Sequence, residues 1–280
     1  MPKYTPQDMI SDKGYLGMLW DVGLRVKPDE NLGKYAIVWR DEFGEKGKLA
    51  VDYLKDARMV QDFRGNTTWT GLYDGIRVTV AATNWGSAAA AVAVEELANA
   101  GVETFIRFGT CGSLHNWLNL NDLVISEGFV RADGASAEYI PLEYPAICNL
   151  EVTRALVDSA EKLGEKYHLG ILRTHDSYYV ETNAALSDPT GGAGPRAMSH
   201  VDKRIARTSI YAKAGVLAVD NEGAATVVPA RLRGLKSGSF HCVTGNMATN
   251  EEVIPRDCEQ RIKSLFKVGF EAIKKLENRK

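Results

Sequence analysis

The sequence predicts an α/β fold, in which a single domain holds a central mixed β-sheet flanked by helices. Three observations support this prediction. The 280 residues are enough for one large α/β unit. Short apolar runs of strand type alternate with helical stretches from Tyr35 onward, as in sheets covered by helices. No internal repeat or Pro-rich linker divides the chain, so we expect one domain over residues 1–280, with residues 1–33 as an N-terminal extension packing on it.

Strands are predicted at short β-type apolar runs, and helices at longer amphipathic or Ala-rich runs. Asp74-Gly75, between two such strand runs, is the strongest short signal for a hairpin, and Gly101 is a typical helix stop. The segment 187–195 has the composition of a mobile surface loop. In chain order, the predicted strands are residues 35–39, 67–73, 76–82, 104–108, 123–125, 169–172, 216–219 and 237–243, and the predicted helices are residues 49–55, 88–100, 150–165, 203–214, 223–232 and 259–276.

The charge balance excludes bulk attraction to nucleic acid or to an anionic membrane. The chain has 34 basic and 36 acidic residues and a net charge of −2. Any anion must therefore be bound by a few specifically placed residues. The N-terminus has no signal-peptide pattern, and no apolar run is long enough to span a membrane. The four cysteines and five histidines are scattered without metal-ligand spacing, so we expect a reduced cytoplasmic protein with no metal site.

The most informative segment runs from Arg107 to Gly112. It is predicted as a strand end that turns through glycines, where backbone N–H groups become exposed and ligands of α/β sheets bind. The guanidinium of Arg107 and the hydroxyl of Thr110 would donate to one oxyanion such as phosphate. From the residues of this segment alone, the slightly favoured interpretation is a surface arginine next to two glycines, Gly109 and Gly112, that merely turn the chain.

Several motifs in the same order resemble the nucleoside phosphorylase family, which includes hexameric purine nucleoside phosphorylases and uridine phosphorylases. The resemblance runs without a gap over residues 53–114 and resumes at 139–145, 175–179, 219–225 and near Asn246. It implies phosphorolysis of a nucleoside's N-glycosidic bond to free base and ribose 1-phosphate. Inorganic phosphate would be the co-substrate, with no other cofactor. The family also implies a homodimer, or a hexamer built from dimers with shared active sites.

The resemblance also assigns roles to individual residues. It implies that Arg107 and Asn246 act in catalysis, the amide of Asn246 donating to the leaving base. The further implied roles are phosphate binding for Arg107, Thr110 and a neighbouring subunit's Arg64, ribose binding for Glu222, Asn221 and Asp220, and base binding for Tyr178, Cys111, Gly112 and Asn246. For Glu222 the residues alone leave another interpretation open, because a carboxylate at the start of a helix also serves as a cap.

The chain departs from the family pattern in the phosphate loop. The position of the family's phosphate-binding arginine falls on Glu45, whose charge would repel phosphate, and Arg40, Lys46 or Lys48 could substitute. This departure leaves two alternatives to a phosphorylase: a nucleoside hydrolase of the same fold, and a nucleoside-binding protein without catalysis.

Other departures concern the nucleoside. Trp85 stands in the family's glycine-rich turn, where it would narrow or cover the site, and Asn221 replaces a thioether. Thr182 and Ala184 occupy the positions at which the uridine branch carries a Gln and an Arg that read uracil. A purine nucleoside is therefore favoured, with a modified nucleoside as the second candidate.

Overall fold

The computed structural model describes residues 23–27, 31–45, 47–178, 208–249, 251–252 and 255–278. Lys46, Thr182, Ala184 and the predicted loop at 187–195 lie outside these ranges, as do most of residues 1–33 and the first part of the helix predicted at 203–214. Residues 208–213 of that helix are helical. No described helix combines the length and the apolar character that crossing a bilayer requires.

The described part of the chain forms one mixed sheet with helices packed against it, as the sequence predicts. The strands are β1 (Tyr35–Arg40), β2 (Lys55–Phe63), β3 (Asn66–Tyr73), β4 (Ile76–Thr83), β5 (Thr104–Ser113), β6 (Leu123–Ala132), β7 (Ala146–Ile147), β8 (Tyr167–His175), β9 (Ala218–Asp220), β10 (Lys236–Asn246) and β11 (Glu251–Glu252). The helices are α1 (Lys48–Val51), α2 (Ser87–Asn99), α3 (Gly134–Tyr139), α4 (Leu150–Lys162), α5 (Gly223–Leu232) and α6 (Pro255–Asn278).

The strand order is β11-β10-β6-β8-β9-β5-β1-β4-β3-β2, with β7 beside β6 and a further pairing of β10 with β5. That further pairing closes β5, β10, β6, β8 and β9 into a ring, from which β1 to β4 extend as an open sheet. β1 is parallel to both β4 and β5, so the carboxyl ends of these three strands point the same way. This shared direction creates the edge at which ligands of α/β sheets bind.

The core fills both faces of the sheet. On one face Phe108 stacks on Phe240, with ring centroids 4.5 Å apart, and Phe266 of α6 packs edge-on against Phe108. On the other face α2 packs with Leu97 fully buried. The buried carboxylate of Glu96, also on α2, accepts hydrogen bonds from three consecutive backbone N–H groups of residues 23–25, at 2.6 to 2.8 Å. The described part of the N-terminal extension is therefore fixed to α2 by charge-assisted hydrogen bonds.

Two predicted elements differ from the structure, and the long strand β2 was not predicted. The helix predicted at 49–55 is the single turn α1, because the chain enters the long antiparallel strand β2 at Lys55. The exposed, mixed composition of β2 gives no strand signal in the sequence. The segment Arg107–Gly112, predicted as a glycine turn, continues as strand to Ser113, because β10 pairs with it as far as Asn246.

Candidate active site

Several of the predicted site residues lie where the carboxyl ends of β1 and β4 meet the middle of β5. Arg40 ends β1, and Asn84-Trp85-Gly86 follows β4. β9 runs antiparallel to the last residues of β5, so the segment after β9 returns along β5 toward Arg107. Glu222 lies in this returning segment, at the start of α5. Topology alone thus brings four separate chain segments to one place.

The centre of the site is an ion pair between Arg107 and Glu222. Nη2 of Arg107 donates to Oε2 of Glu222 at 2.8 Å, and the two side chains are 1% and 3% exposed. The residue predicted to bind phosphate is thus bonded directly to the residue predicted to bind ribose. The glycine at position 109 makes room for this arrangement, because a Cβ there would lie 2.6 Å from Nη2 of Arg107.

Both residues of the pair have polar atoms besides the two that bind each other. Oε1 of Glu222 accepts from the backbone N–H of Gly86 at 2.9 Å, at the N-terminus of α2, where the helix dipole favours a negative charge. Nη1 of Arg107 makes a long contact of 3.4 Å with the carbonyl oxygen of Val38. Nε of Arg107 is buried and has no hydrogen-bond partner among the described residues. Arg107 therefore has a donor group that no described residue uses.

Beside this pair, Thr110 contacts Arg40 and Glu42. Oε1 of Glu42 accepts from the hydroxyl of Thr110 at 2.5 Å and pairs with Nη2 of Arg40 at 2.7 Å. The same Nη2 of Arg40 lies 3.4 Å from the hydroxyl oxygen of Thr110. Arg40, which the sequence offered as one of three substitutes for the missing arginine, is thus the cation that the structure places at Thr110. Lys48 is exposed at the start of α1, and Glu45 is also exposed.

Arg40 remains charged although its side chain is largely buried. Burial alone would lower its pKa, but the carboxylates of Glu42 and Glu222 more than compensate and raise the pKa of Arg40 above its ordinary value. Its guanidinium also lies over the indole of Trp85, 4.2 Å from the ring centroid, in a cation–π contact.

Trp85 forms one wall of the site. Its ring meets the ring of Tyr178 edge-on with centroids 5.1 Å apart, and its Nε1 donates to Oδ1 of Asn221 at 3.2 Å. The side-chain amide of Asn221 donates in turn to the carbonyl oxygen of His175. Trp85 is nevertheless 53% exposed. An exposed indole fixed on three sides beside polar groups offers an aromatic surface to a planar ligand.

Two residues predicted for ribose or base binding direct their side chains into the interior. Asp220 accepts from Thr174 Oγ1 and from the Gly223 N–H, both at 2.6 Å, and contacts Nε2 of His241 at 3.3 Å. Burial alone would raise its pKa, but the hydrogen bond and charge of His241 outweigh it and lower the pKa of Asp220. Cys111 lies in the apolar cluster around β6, where burial raises the pKa of its thiol well above the usual range. Because its thiol is buried, Cys111 can contact a ligand only through its backbone atoms.

Asn246 is bonded to backbone groups through both ends of its amide. Nδ2 donates to the carbonyl oxygens of His115 and Leu118 at 3.0 and 2.9 Å. Oδ1 accepts from the N–H groups of Ala248 and Thr249 at 2.9 and 3.2 Å. These bonds use the donor capacity that the sequence-based prediction assigns to base binding. The structure therefore does not bring Asn246 to the Arg107–Glu222 pair as a free donor. Gly112 lies next to Val219 of β9 and is half-buried.

Arg64 is presented at the tip of the β2–β3 hairpin. It and Gly65 both have positive φ angles, 52° and 80°, as a tight hairpin turn requires. Its carbonyl oxygen accepts from Nδ2 of Asn84 at 2.8 Å, which fixes the hairpin to the segment that carries Trp85. Arg64 is exposed, with its guanidinium over the Phe63 ring.

Two contributors to the site were not predicted from the sequence. Glu42 follows the end of β1 by two residues, but without the fold nothing indicates that it reaches Thr110 on another strand. The backbone N–H of Gly86 contributes through its place at a helix start, for which Gly86-Ser87 before an Ala-rich run is the available signal.

Comparison with known proteins identifies the family. A model of the phosphorylase superfamily matches residues 34–271. The chain is 35% identical to a uridine phosphorylase of Thermococcus kodakarensis over 198 residues, which are 70% of this chain and 68% of the relative. It is 31% identical to the uridine phosphorylase of Escherichia coli over 210 residues (75% and 80%), and 28% identical to a guanosine phosphorylase of Halorubrum lacusprofundi over 239 residues (82% and 90%). The chain therefore belongs to the phosphorylase superfamily, as an enzyme of its nucleoside phosphorylase family.

Proposed function

We propose that this chain catalyses phosphorolysis of a nucleoside to free base and pentose 1-phosphate. The observation that carries the proposal is the 2.8 Å bond between Arg107 and Glu222. It couples a buried cation, suited to an anionic nucleophile, to a buried carboxylate, suited to vicinal sugar hydroxyls. A phosphate oxygen at Arg107 and a ribose at Glu222 would then be neighbours, which is the arrangement that attack on C1′ needs.

The residues act by positioning and by electrostatics. Phosphorolysis forms a bond from a phosphate oxygen to C1′ and breaks the C1′–N bond, whose electron pair leaves with the base. Positive charge develops on the sugar in the transition state. Arg107, Arg40 and Thr110 orient the phosphate, whose negative charge stabilises that developing cation, and Glu222 accepts hydrogen bonds from the 2′- and 3′-hydroxyls. No metal or further cofactor takes part in this proposal.

For the base, we propose a purine, bound against Tyr178 and Trp85. The rings of Trp85 and Tyr178 meet edge-on and form an aromatic surface beside the proposed sugar site. A planar base packs well on such a surface. The absence of the uridine branch's Gln and Arg at Thr182 and Ala184 supports the purine. The relatives include enzymes named for guanosine and for uridine, so the base must be tested directly.

We also propose that the active site is shared between two subunits of a homodimer, or of a hexamer built from dimers. Arg64 is exposed at the hairpin tip, bound to the segment that carries Trp85, and suits a contact with the phosphate in a neighbouring subunit.

A panel of purine and pyrimidine nucleosides, incubated with and without phosphate, tests the reaction and the base together. The proposal expects purine release that depends on phosphate. Fastest release from uridine would overturn the purine assignment but not the reaction type.

A second candidate, hydrolysis, is favoured by one observation. Glu42 places a carboxylate on Thr110, where a general base could activate water. Equal base release in phosphate-free buffer would select this candidate and overturn phosphorolysis.

A further inference from the structure

The donors assigned to phosphate at Thr110 are bound by a carboxylate of the same chain. A single oxygen of Glu42, Oε1, accepts from the Thr110 hydroxyl at 2.5 Å and pairs with Arg40 Nη2 at 2.7 Å. The side chain of Glu42 is 9% exposed. Carboxylate and phosphate oxygens prefer the same donors, a hydroxyl and a guanidinium, in the same charge-assisted geometry.

We propose that Glu42 is a specificity-determining residue for the anionic co-substrate, because its carboxylate competes with phosphate for Thr110 and Arg40. The inference rests on the proposed phosphorolysis. Phosphate binds to these donors only by displacing the internal anion, and the competition lowers its apparent affinity. Glu42 thereby selects a ligand that carries more negative charge and more acceptor oxygens than one carboxylate.

The charges around the site support the competition. Arg40 and Arg107 supply two positive charges, and Glu42 and Glu222 supply two negative charges. Glu222 is bonded to Arg107 and to the N-terminus of α2, so it stays in place when phosphate binds. Removing the charge of Glu42 therefore leaves one uncompensated cation at the phosphate donors, which favours an incoming dianion.

Arg40 does not depend on Glu42 alone for its position. Its guanidinium lies 4.2 Å from the centroid of the Trp85 ring, which is itself bonded to Asn221. Arg40 can therefore remain at Thr110 when the carboxylate is replaced. Because Arg40 is also held by Trp85, the role of Glu42 is to compete with phosphate for these donors rather than to hold Arg40 in place.

The test measures phosphate dependence in Glu42→Gln and Glu42→Ala, with Glu45→Gln as the matched control. Glutamine keeps the shape but forms hydrogen bonds of about half the strength, and alanine removes the acceptor. Glu45 is exposed on the same loop, so Glu45→Gln removes the same charge away from Thr110. If the carboxylate occupies the donors about nine-tenths of the time, both Glu42 variants lower the phosphate KM about tenfold. We expect the control Glu45→Gln to leave the phosphate KM unchanged.

Three results overturn the inference: an unchanged phosphate KM in the Glu42 variants, a raised one, or an equal fall in Glu45→Gln. Calorimetric titration of each variant with inorganic phosphate alone gives a second measurement that needs no turnover. We expect Glu42→Gln to bind inorganic phosphate about tenfold more tightly than the unmodified chain does. If no variant forms a sugar 1-phosphate, the proposed function fails, while the titration still decides whether Glu42 competes with phosphate.

Discussion

Arg107 and Glu222 lie 115 positions apart in the chain and form a direct ion pair at 2.8 Å, shielded from solvent. The pair links an arginine in the middle of β5 to the N-cap residue of α5. Because each side chain compensates the buried charge of the other, neither can be removed without consequence for both the fold and the site.

We expect Arg107→Ala to raise the KM for phosphate more than the KM for nucleoside, and Glu222→Ala to lower kcat/KM for ribonucleosides about 100-fold or more. The reason is that Arg107 orients the nucleophile and Glu222 holds the sugar. Steady-state kinetics with each substrate varied in turn checks both expectations.

A 2′,3′-dideoxynucleoside is the control for Glu222, because it lacks the hydroxyls that the carboxylate would accept from. The effect of Glu222→Ala should largely disappear with it. Each variant leaves a buried partner charge, which costs about 3–5 kcal/mol of stability. Denaturation curves must therefore confirm that the assayed protein is folded. An Arg107→Ala enzyme with unchanged phosphate dependence would contradict the anion site.

Trp85→Ala should raise the phosphate KM about two- to fivefold, because the cation–π contact that holds Arg40 is lost. Trp85→Phe keeps a ring and should have a smaller effect on phosphate, while losing the hydrogen bond to Asn221. Trp117 is the matched control, since it is similarly exposed but packs between His115 and His168. Equal effects of Trp117→Ala and Trp85→Ala would argue against a specific role for Trp85.

Mixing subunits tests whether Arg64 serves a neighbouring active site. Arg64→Ala and Arg107→Ala should each be nearly inactive alone. Random mixed dimers of the two would restore about a quarter of the sites, because one site of each mixed dimer then carries neither change. The measurement is activity after joint refolding or co-expression, with the oligomeric state determined by light scattering. No recovery in confirmed mixed dimers would place Arg64 outside the shared site.

Asn246→Ala separates a structural role from a catalytic one. The amide makes four hydrogen bonds to backbone groups around the end of β10, so its loss should lower the free energy of unfolding by about 1–3 kcal/mol. We expect kcat/KM per folded molecule to stay within a few-fold of the unmodified enzyme. A much larger fall in kcat with unchanged stability would support the prediction that Asn246 donates to the leaving base.

The lowered pKa of Asp220 predicts how the stability of the folded protein depends on pH. Its pKa in the folded protein is lowered from the ordinary 3.8, so the carboxylate contributes stability fully above that value. This contribution is lost as pH falls through the lower folded pKa. Urea denaturation between about pH 2 and 6 should show a weaker acid dependence in Asp220→Asn than in the unmodified chain. An identical pH dependence in the two proteins would contradict the assigned shift.

The sequence was sufficient for the fold class. Strand and helix patterns predicted most elements. The resemblance assigned Arg107 and Glu222 to one predicted site, and the structure pairs their side chains. Strand β2 was missed because its exposed polar residues carry no apolar alternation. The continuation of β5 through its glycines was missed because pairing with the distant β10 determines it.

The environment of Thr110 could not be predicted for a similar reason. The spacing of the family pattern along the chain placed the phosphate-binding position at Glu45. In the structure, the direction of the chain after β1 decides which side chains reach Thr110. The structure places Arg40 and Glu42 there. The hydrogen bonds of the Asn246 amide could not be predicted either. They are made to backbone groups that come near Asn246 only in the folded chain.

The most direct test of the central claim is the fate of the sugar in ¹⁸O-labelled water. With purine nucleoside and inorganic phosphate present, phosphorus NMR should show pentose 1-phosphate in equal amounts to the released base, with no ¹⁸O at C1 of the sugar. Base release that continues without phosphate and yields free pentose in equal amounts to the base would contradict phosphorolysis at the Arg107–Glu222 pair.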